Sequence, residues 1–202
     1  TAAGAVIVPI LVDFSPDEIA GILAHAEAKL VVTSEATRGR VTDQAVVDCG
    51  LVWELTDRRT PEPVAADDRA ALIYTSGTTG NPKGVMLSHR NLVRNAQAVQ
   101  QIFDVEPQDV LLSVLPLAHT YECTIGFLVP LLSGASVTYL SGPPTPTRLL
   151  PALERLRPTI MLAVPLIIEK IYRTRVLPEI ERLPAALRGI PPVRRVLHRV
   201  AA

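Results

Sequence analysis

Ala70-Ala71-Leu72-Ile73-Tyr74-Thr75-Ser76-Gly77-Thr78-Thr79-Gly80-Asn81-Pro82-Lys83-Gly84-Val85-Met86-Leu87-Ser88 is the stretch on which the reading of this chain turns. The run Ala70–Thr75 is apolar, of strand length, and predicts a buried strand. Residues 76–84 predict a loop, and Val85–Ser88 a short second strand. Ser88 carries the hydroxyl to cap a helix running to about Phe103. Thr75–Gly84 gathers four hydroxyls, three glycines and a lysine into one turn. Glycines let backbone N–H groups approach an anion, because no Cβ stands in the way. Hydroxyls donate to phosphate oxygens and can ligate a hard cation such as Mg²⁺, and Lys83 adds a mobile positive charge. A glycine-rich hairpin turn with an exposed lysine is the plainer alternative, but such a turn has no use for clustered hydroxyls. The residue types predict a site for a chain of phosphates. They do not form the G-x-x-x-x-G-K-[ST] loop, since Gly84 follows Lys83 and Gly77 and Gly80 stand at the wrong spacing.

Upstream, Val6–Val12 is a β-branched apolar run that predicts a buried strand. Ser15-Pro16-Asp17-Glu18 supplies an N-cap, a proline at the first helical position and a capping-box acid. The helix that follows carries Ile19, Ile22, Leu23 and Ala26 on one face. Leu30–Thr33 predicts a second strand and Gly50–Leu55 a third, after a helical or irregular Glu35–Asp48. Strand–helix–strand order implies parallel pairing through right-handed crossovers. Downstream, strands are predicted at Val110–Leu115, Ser136–Leu140 and Thr159–Val164. Helices are predicted up to Leu132 after Pro116, at Arg148–Arg157 and at Pro165–Thr174. The expected fold class is α/β with parallel-sheet βα lobes. The expected divisions are a first, partial lobe over 1–56, a proline- and charge-rich linker over 57–68, a second lobe over 69–175 containing the phosphate-binding loop 75–84, and a basic helical tail over 176–202.

The whole chain is 202 residues with twenty basic and twenty acidic side chains, so its formal charge is zero. Such a balance offers no general electrostatic footprint for nucleic acid, and none is expected as a partner. Hydrophobic residues make up 48% and aromatics 4%, so packing must rest on Leu, Val, Ile and Ala. Cys49 and Cys123 lie outside any metal-ligand spacing and read as reduced thiols of a cytoplasmic protein. Thr124–Leu140 is interrupted by Pro130 and Gly134 and falls short of the roughly 18 apolar residues of a spanning helix. The tail carries Arg182, Arg188, Arg194, Arg195 and Arg199, which read first as a solvated helical surface and second as an anionic-ligand or membrane-surface patch.

Thr75–Gly84 resembles the phosphate loop [ST]-S-G-[ST]-T-G-x-P-K-G of the adenylate-forming enzymes, matching at every position. That family includes acyl-CoA synthetases, luciferases and the adenylation domains of peptide synthetases. Leu115-Pro116-Leu117-Ala118-His119-Thr120-Tyr121-Glu122 is similar to the L-P-L-A-H-x-x-E segment of the long-chain fatty acyl-CoA synthetases. Val164–Tyr172 is similar to their V-P-R-x-x-E-K-I-Y segment, with Leu166 where that pattern has Arg. The resemblance implies ATP-dependent activation of a fatty acid to an acyl-adenylate with release of pyrophosphate, then thioester formation with coenzyme A and release of AMP.

By the same resemblance, Ser76, Gly77, Thr79, Gly80 and Lys83 would hold the β- and γ-phosphates, within a binding set that also takes in Thr75, Thr78 and Gly84. Thr78 would contact Mg²⁺, and His119 would shape the acyl site. Glu122 is open between pairing with a basic neighbour and capping its helix. Ile125, Phe127, Leu128 and Val129 are open between plain core and the lining of an acyl tunnel. His89 reads as structural. The family's Y-G-x-T-E and T-G-D segments and its C-terminal lysine are absent from the sequence. The chain is therefore expected to be a fragment of the large N-terminal domain, inactive on its own and prone to self-association. Its expected partners are a fatty acid and coenzyme A, with cytoplasmic location and peripheral contact at the inner face of a membrane as a further option. Two alternatives stand beside this: another adenylating enzyme, such as a peptide-synthetase module, and a non-catalytic nucleotide-binding or scaffold domain.

Overall fold

The structure is a computed structural model, and it describes residues 4–41, 45–52, 62–75 and 83–182. The chain divides into two compact units, Thr1–Asp104 with Pro116–Val129, and Val105–Leu115 with Pro130–Ala202.

In the first unit Ser15 caps α1 (Pro16–His25) through a complete capping box, its Oγ accepting from Glu18 N while Glu18 accepts from Ser15 N. The apolar face of α1 buries Ile19 and Leu23 against Val31, with Ile10, Phe14 and Val46 packed around them. β1 (Val31–Thr33) pairs in parallel with β2 (Val46–Asp48), and the short helices α2 (Glu35–Arg38) and α3 (Cys49–Val52) precede and follow β2. β3 (Arg69–Thr75) pairs antiparallel with β4 (Lys83–Ser88). α4 (His89–Gln100) starts at Ser88, whose Oγ accepts from Asn91 N while Asn91 Oδ1 accepts from Ser88 N. Asp67 and Arg90 pair on the surface at 2.6 Å, tying the approach to β3 to the start of α4. A π-helical turn, Glu122–Leu128, completes this unit.

The second unit is built on three parallel strands in the order β6-β5-β7: β5 (Val110–Ser113) is central, flanked by β6 (Ser136–Tyr139) and β7 (Ile160–Met161). Its helices are most of α5 (Val129–Ser133), then α6 (Pro146–Leu156), α7 (Pro165–Ile171), a π-helical turn Tyr172–Val176 and α8 (Leu177–Arg182). Leu112, Val114, Leu149 and Ile167 form its core. Parallel strands joined through helices bear out the α/β expectation.

The structure corrects several local expectations. Val6–Val12 is no buried strand: only Ile7 bridges to Ala71, and Val6, Ile7 and Val12 are exposed along an open apolar groove of about 980 Å³. The third strand lies at Val46–Asp48 rather than Gly50–Leu55, because Cys49–Val52 is helical; residues 53–55 lie outside the described set. Thr159–Val164 shrinks to two paired residues, and the strand pair flanking the loop is antiparallel. The compact units also do not follow the lobes expected at 1–56 and 69–175. Ile7 N donates to Ala70 O and Leu72 N to Ile7 O, and β3 and β4 belong to the same unit as α1. Of the expected basic tail, residues 183–202 lie outside the described set.

Candidate nucleotide-phosphate site

The β3–β4 ladder runs to both ends of the loop, with Tyr74 opposite Gly84 and Thr75 opposite Lys83. Thr75 and Lys83 therefore face each other at the end of the strand pair. Ser76, Gly77, Thr78, Thr79 and Gly80 lie outside the described residues. Thr75 and Lys83, which frame them, are both exposed. A lysine beside the loop's open end, with its ammonium in solvent, can reach an anion held there.

Gly84 has a packing task of its own. A Cβ built on it would lie 3.0 Å from Leu72 Cδ1 and 3.3 Å from Tyr74 Cζ. Its missing side chain makes room for two β3 side chains, one of them the aromatic ring next to Thr75. That ring is only 5% exposed, and burial pushes the Tyr74 phenol above its ordinary pKa, so it stays neutral. Its hydroxyl lies 2.6 Å from Nδ1 of His25, the last residue of α1. The two rings meet edge to face at 5.7 Å and 86°. The sequence reading did not find this pair. A buried tyrosine at the end of a strand is a signal that its hydroxyl needs a partner, but nothing in sequence points to His25.

His119 stands in the turn before the π-helical segment: its N–H donates to Pro116 O and its carbonyl accepts from Cys123 N. The side chain is exposed, as a residue available to a substrate must be. Glu122, one turn on, is fully buried, and its carboxyl group lies over Gly126, where a Cβ would come within 2.7 Å of Glu122 Cδ. Its carboxylate thus points inward, and Gly126 is the space that admits it. Among the candidate acyl-lining residues, Val129 is fully buried, Phe127 is 40% exposed, and Ile125 and Leu128 are half-buried. Burial also raises the Cys123 thiol pKa, which keeps it protonated and a poor nucleophile. Cys49 and Cys123 are both free thiols. A cavity of about 340 Å³ opens in this unit between Ile73, Leu87, Leu92, Asn95, Thr120 and Cys123.

Among the described residues no three His, Cys, Asp or Glu side chains gather as a metal-binding group. The Mg²⁺ contact expected of Thr78 falls outside them. No helix of the described residues is long and apolar enough to cross a membrane.

An α/β chain with a hydroxyl- and glycine-rich loop spanning an antiparallel strand pair fits an enzyme that handles nucleotide phosphates. The chain belongs to the AMP-binding enzyme family, which it matches over residues 1–197. Human long-chain-fatty-acid–CoA ligase 1 is 38% identical over 120 residues, 57% of this chain and 17% of that protein. The sulfoacetate–CoA ligase of Cupriavidus necator is 35% identical over 152 residues, 67% of this chain and 30% of that protein. Among solved structures, ATP-bound MatB from Rhodopseudomonas palustris superposes with a TM-score of 0.74 at 26% identity, over 86% of this chain and 37% of that one. The chain thus spans well under half the length of each. The resemblance drawn from Thr75–Gly84 is borne out at the level of the family.

Proposed function

We propose that this chain supplies the phosphate-holding part of a long-chain fatty acid–CoA ligase. The observation that supports it most directly is the register of the β3–β4 pair, which sets Thr75 and Lys83 face to face at the mouth of the matched loop. Ser76, Gly77, Thr79 and Gly80 would present N–H and O–H donors to the β- and γ-phosphates, and Lys83 would neutralise their charge. In the first step a carboxylate oxygen bonds to the α-phosphorus and pyrophosphate leaves. Two anions must meet, so a loop that fixes and neutralises the leaving phosphates lowers the barrier. In the second step the sulfur of coenzyme A bonds to the acyl carbon, AMP leaves, and the thiol proton passes to solvent. His119, exposed in the turn before the π-helical segment, would border the acyl carboxylate. Thr78 would be the chain's own contribution to holding Mg²⁺, which screens the phosphates when bound. The chain alone is expected not to turn over.

The Leu115–Glu122 and Val164–Tyr172 segments favour a fatty acid as the acid. The longer match to a sulfoacetate–CoA ligase favours a small acid as the second reading. ATP–pyrophosphate exchange by the protein carrying these residues, with palmitate against sulfoacetate and amino acids, separates the readings. Palmitate-dependent exchange supports the proposal, and exchange driven only by a small acid or an amino acid overturns it. For the loop itself, Lys83→Ala is expected to weaken ATP binding about tenfold or more, the weight of a lost charge-assisted phosphate contact of roughly 1.5–3 kcal/mol. Unchanged affinity would remove the phosphate site from the assignment.

A further inference from the structure

We infer that His25 is a positioning residue for the nucleotide phosphates, acting through Tyr74 on the base of the loop. The inference rests on the phosphate-binding reading above and adds a residue fifty positions upstream of the motif, on a different element. Tyr74 is the last buried residue before the loop, and it is held on two sides. Its hydroxyl is bonded to His25 Nδ1 at 2.6 Å, and its ring lies 3.3 Å from where a side chain on Gly84 would begin. Gly84 is its cross-strand partner, and the next pair along the ladder is Thr75 with Lys83. Fixing the ring therefore fixes the separation and twist of the two strands at the step from which the loop departs.

α1 is independently anchored by its capping box and by burial of Ile19, Ile22 and Leu23, so His25 has a rigid base to work from. A loop whose ends are set before ligand arrives has less conformational freedom to surrender on binding. The clamp is a geometric device, with the tyrosine ring held at its hydroxyl by His25 and on its edge by the space at Gly84.

Isothermal titration of the 202-residue chain with MgATP tests this, alongside melting temperatures for every variant. His25→Ala and Tyr74→Phe are each expected to weaken binding about three- to tenfold, the weight of one neutral hydrogen bond. The double variant should be no weaker than either single, since both remove the same contact. His25→Asn, whose amide reaches the position of Nδ1, should restore affinity. Equal affinity in wild type, His25→Ala and Tyr74→Phe would overturn the inference, as would lowered melting temperatures with affinity untouched, which mark a purely structural contact. Lys83→Ala separates the two levels. If Lys83→Ala loses binding while His25→Ala keeps it, the clamp alone fails; if the wild type binds no MgATP, or Lys83→Ala binds as well, the phosphate site fails too.

Discussion

The two units organise their strands in opposite ways. In the second, β5 has a neighbour on each side, and Leu111, Leu112 and Ser113 are all buried. In the first, four strands are spent on two separate pairs, and the one that leaves the phosphate loop, β4, exposes Val85 at 45% and Met86 at 64%. A central parallel strand is mostly apolar, because it is covered on both faces, and Ser113 is the polar exception in β5. A strand that delivers a loop needs only enough burial to hold its register, and here β3 supplies that burial for both. β4 is thus the lightly covered member of its pair, while β5 is closed in by a strand on each side. Functional loops are commonly drawn from the less stable regions of a fold.

The largest effect that could break this contrast lies at Leu112, 1% exposed at the centre of the second unit's core. Leu112→Ala is expected to cost about 2–5 kcal/mol by loss of burial and an unfilled cavity. Val85→Ala on β4 should stay within about 1 kcal/mol, as surface substitutions usually do. Urea unfolding of both variants provides the comparison. Equal losses would mean that β4 is covered by something its exposure does not reveal.

A middle-sized effect probes the first unit's own tight spot. Gly126→Ala sets a methyl group against the buried Glu122 carboxyl, and overpacking of this kind costs about 1–3 kcal/mol. Glu122→Ala removes the obstacle. The costs of the two single changes should therefore exceed that of the double variant by about 0.5–3 kcal/mol in a double-mutant cycle. Strict additivity would show that Glu122 has another place to go when Gly126 is filled, and that the inward carboxylate is not fixed by this glycine.

What the sequence disclosed follows the range of each signal. Thr75–Gly84 made the family legible because it matches a ten-residue motif at every position, and Ala70–Thr75 read as a strand because an apolar run of that length must be covered. Ser15 and Glu18 announced α1 through a contact spanning three residues. Val6–Val12 misled because hydrophobicity reports a wish for burial and not the presence of a partner strand, and only Ile7 finds one. Val46–Asp48 is too short to display a period of two. Helical spacing does set Gly126 beside Glu122, four residues on, but it does not say that this face of the segment is buried. The His25–Tyr74 bond joins residues 49 apart, and no local pattern encodes a contact of that range. Thus the family was readable from the sequence, while the contacts packed around the strand pair at Thr75 and Lys83 were not.

The smallest effect tests whether the second unit's solidity extends to the edge of its sheet. Asp109 stands just before β5 and gathers all three strands. Its carbonyl accepts from Ser136 N, its Oδ1 accepts from Thr159 Oγ1 at 2.7 Å, and its Oδ2 accepts from Glu106 N at 2.8 Å. The backbone N–H of Glu106 first, and the Thr159 hydroxyl second, hold the Asp109 carboxyl below its ordinary pKa. A depressed carboxylate pKa adds stability that is present above the unfolded-state value, near 4, and is lost as pH falls through the folded one. Asp109→Asn should therefore lower the urea midpoint at pH 6–7, since an amide cannot accept in both places as a carboxylate does. The gap to wild type should narrow as pH falls below about 4 and wild-type Asp109 takes up its proton. A gap that persists unchanged to pH 2 would assign the loss to shape rather than charge. The cross-strand tie would then owe nothing to ionisation, and the firmness of this edge would have to come from the Thr159 and Ser136 backbone bonds alone.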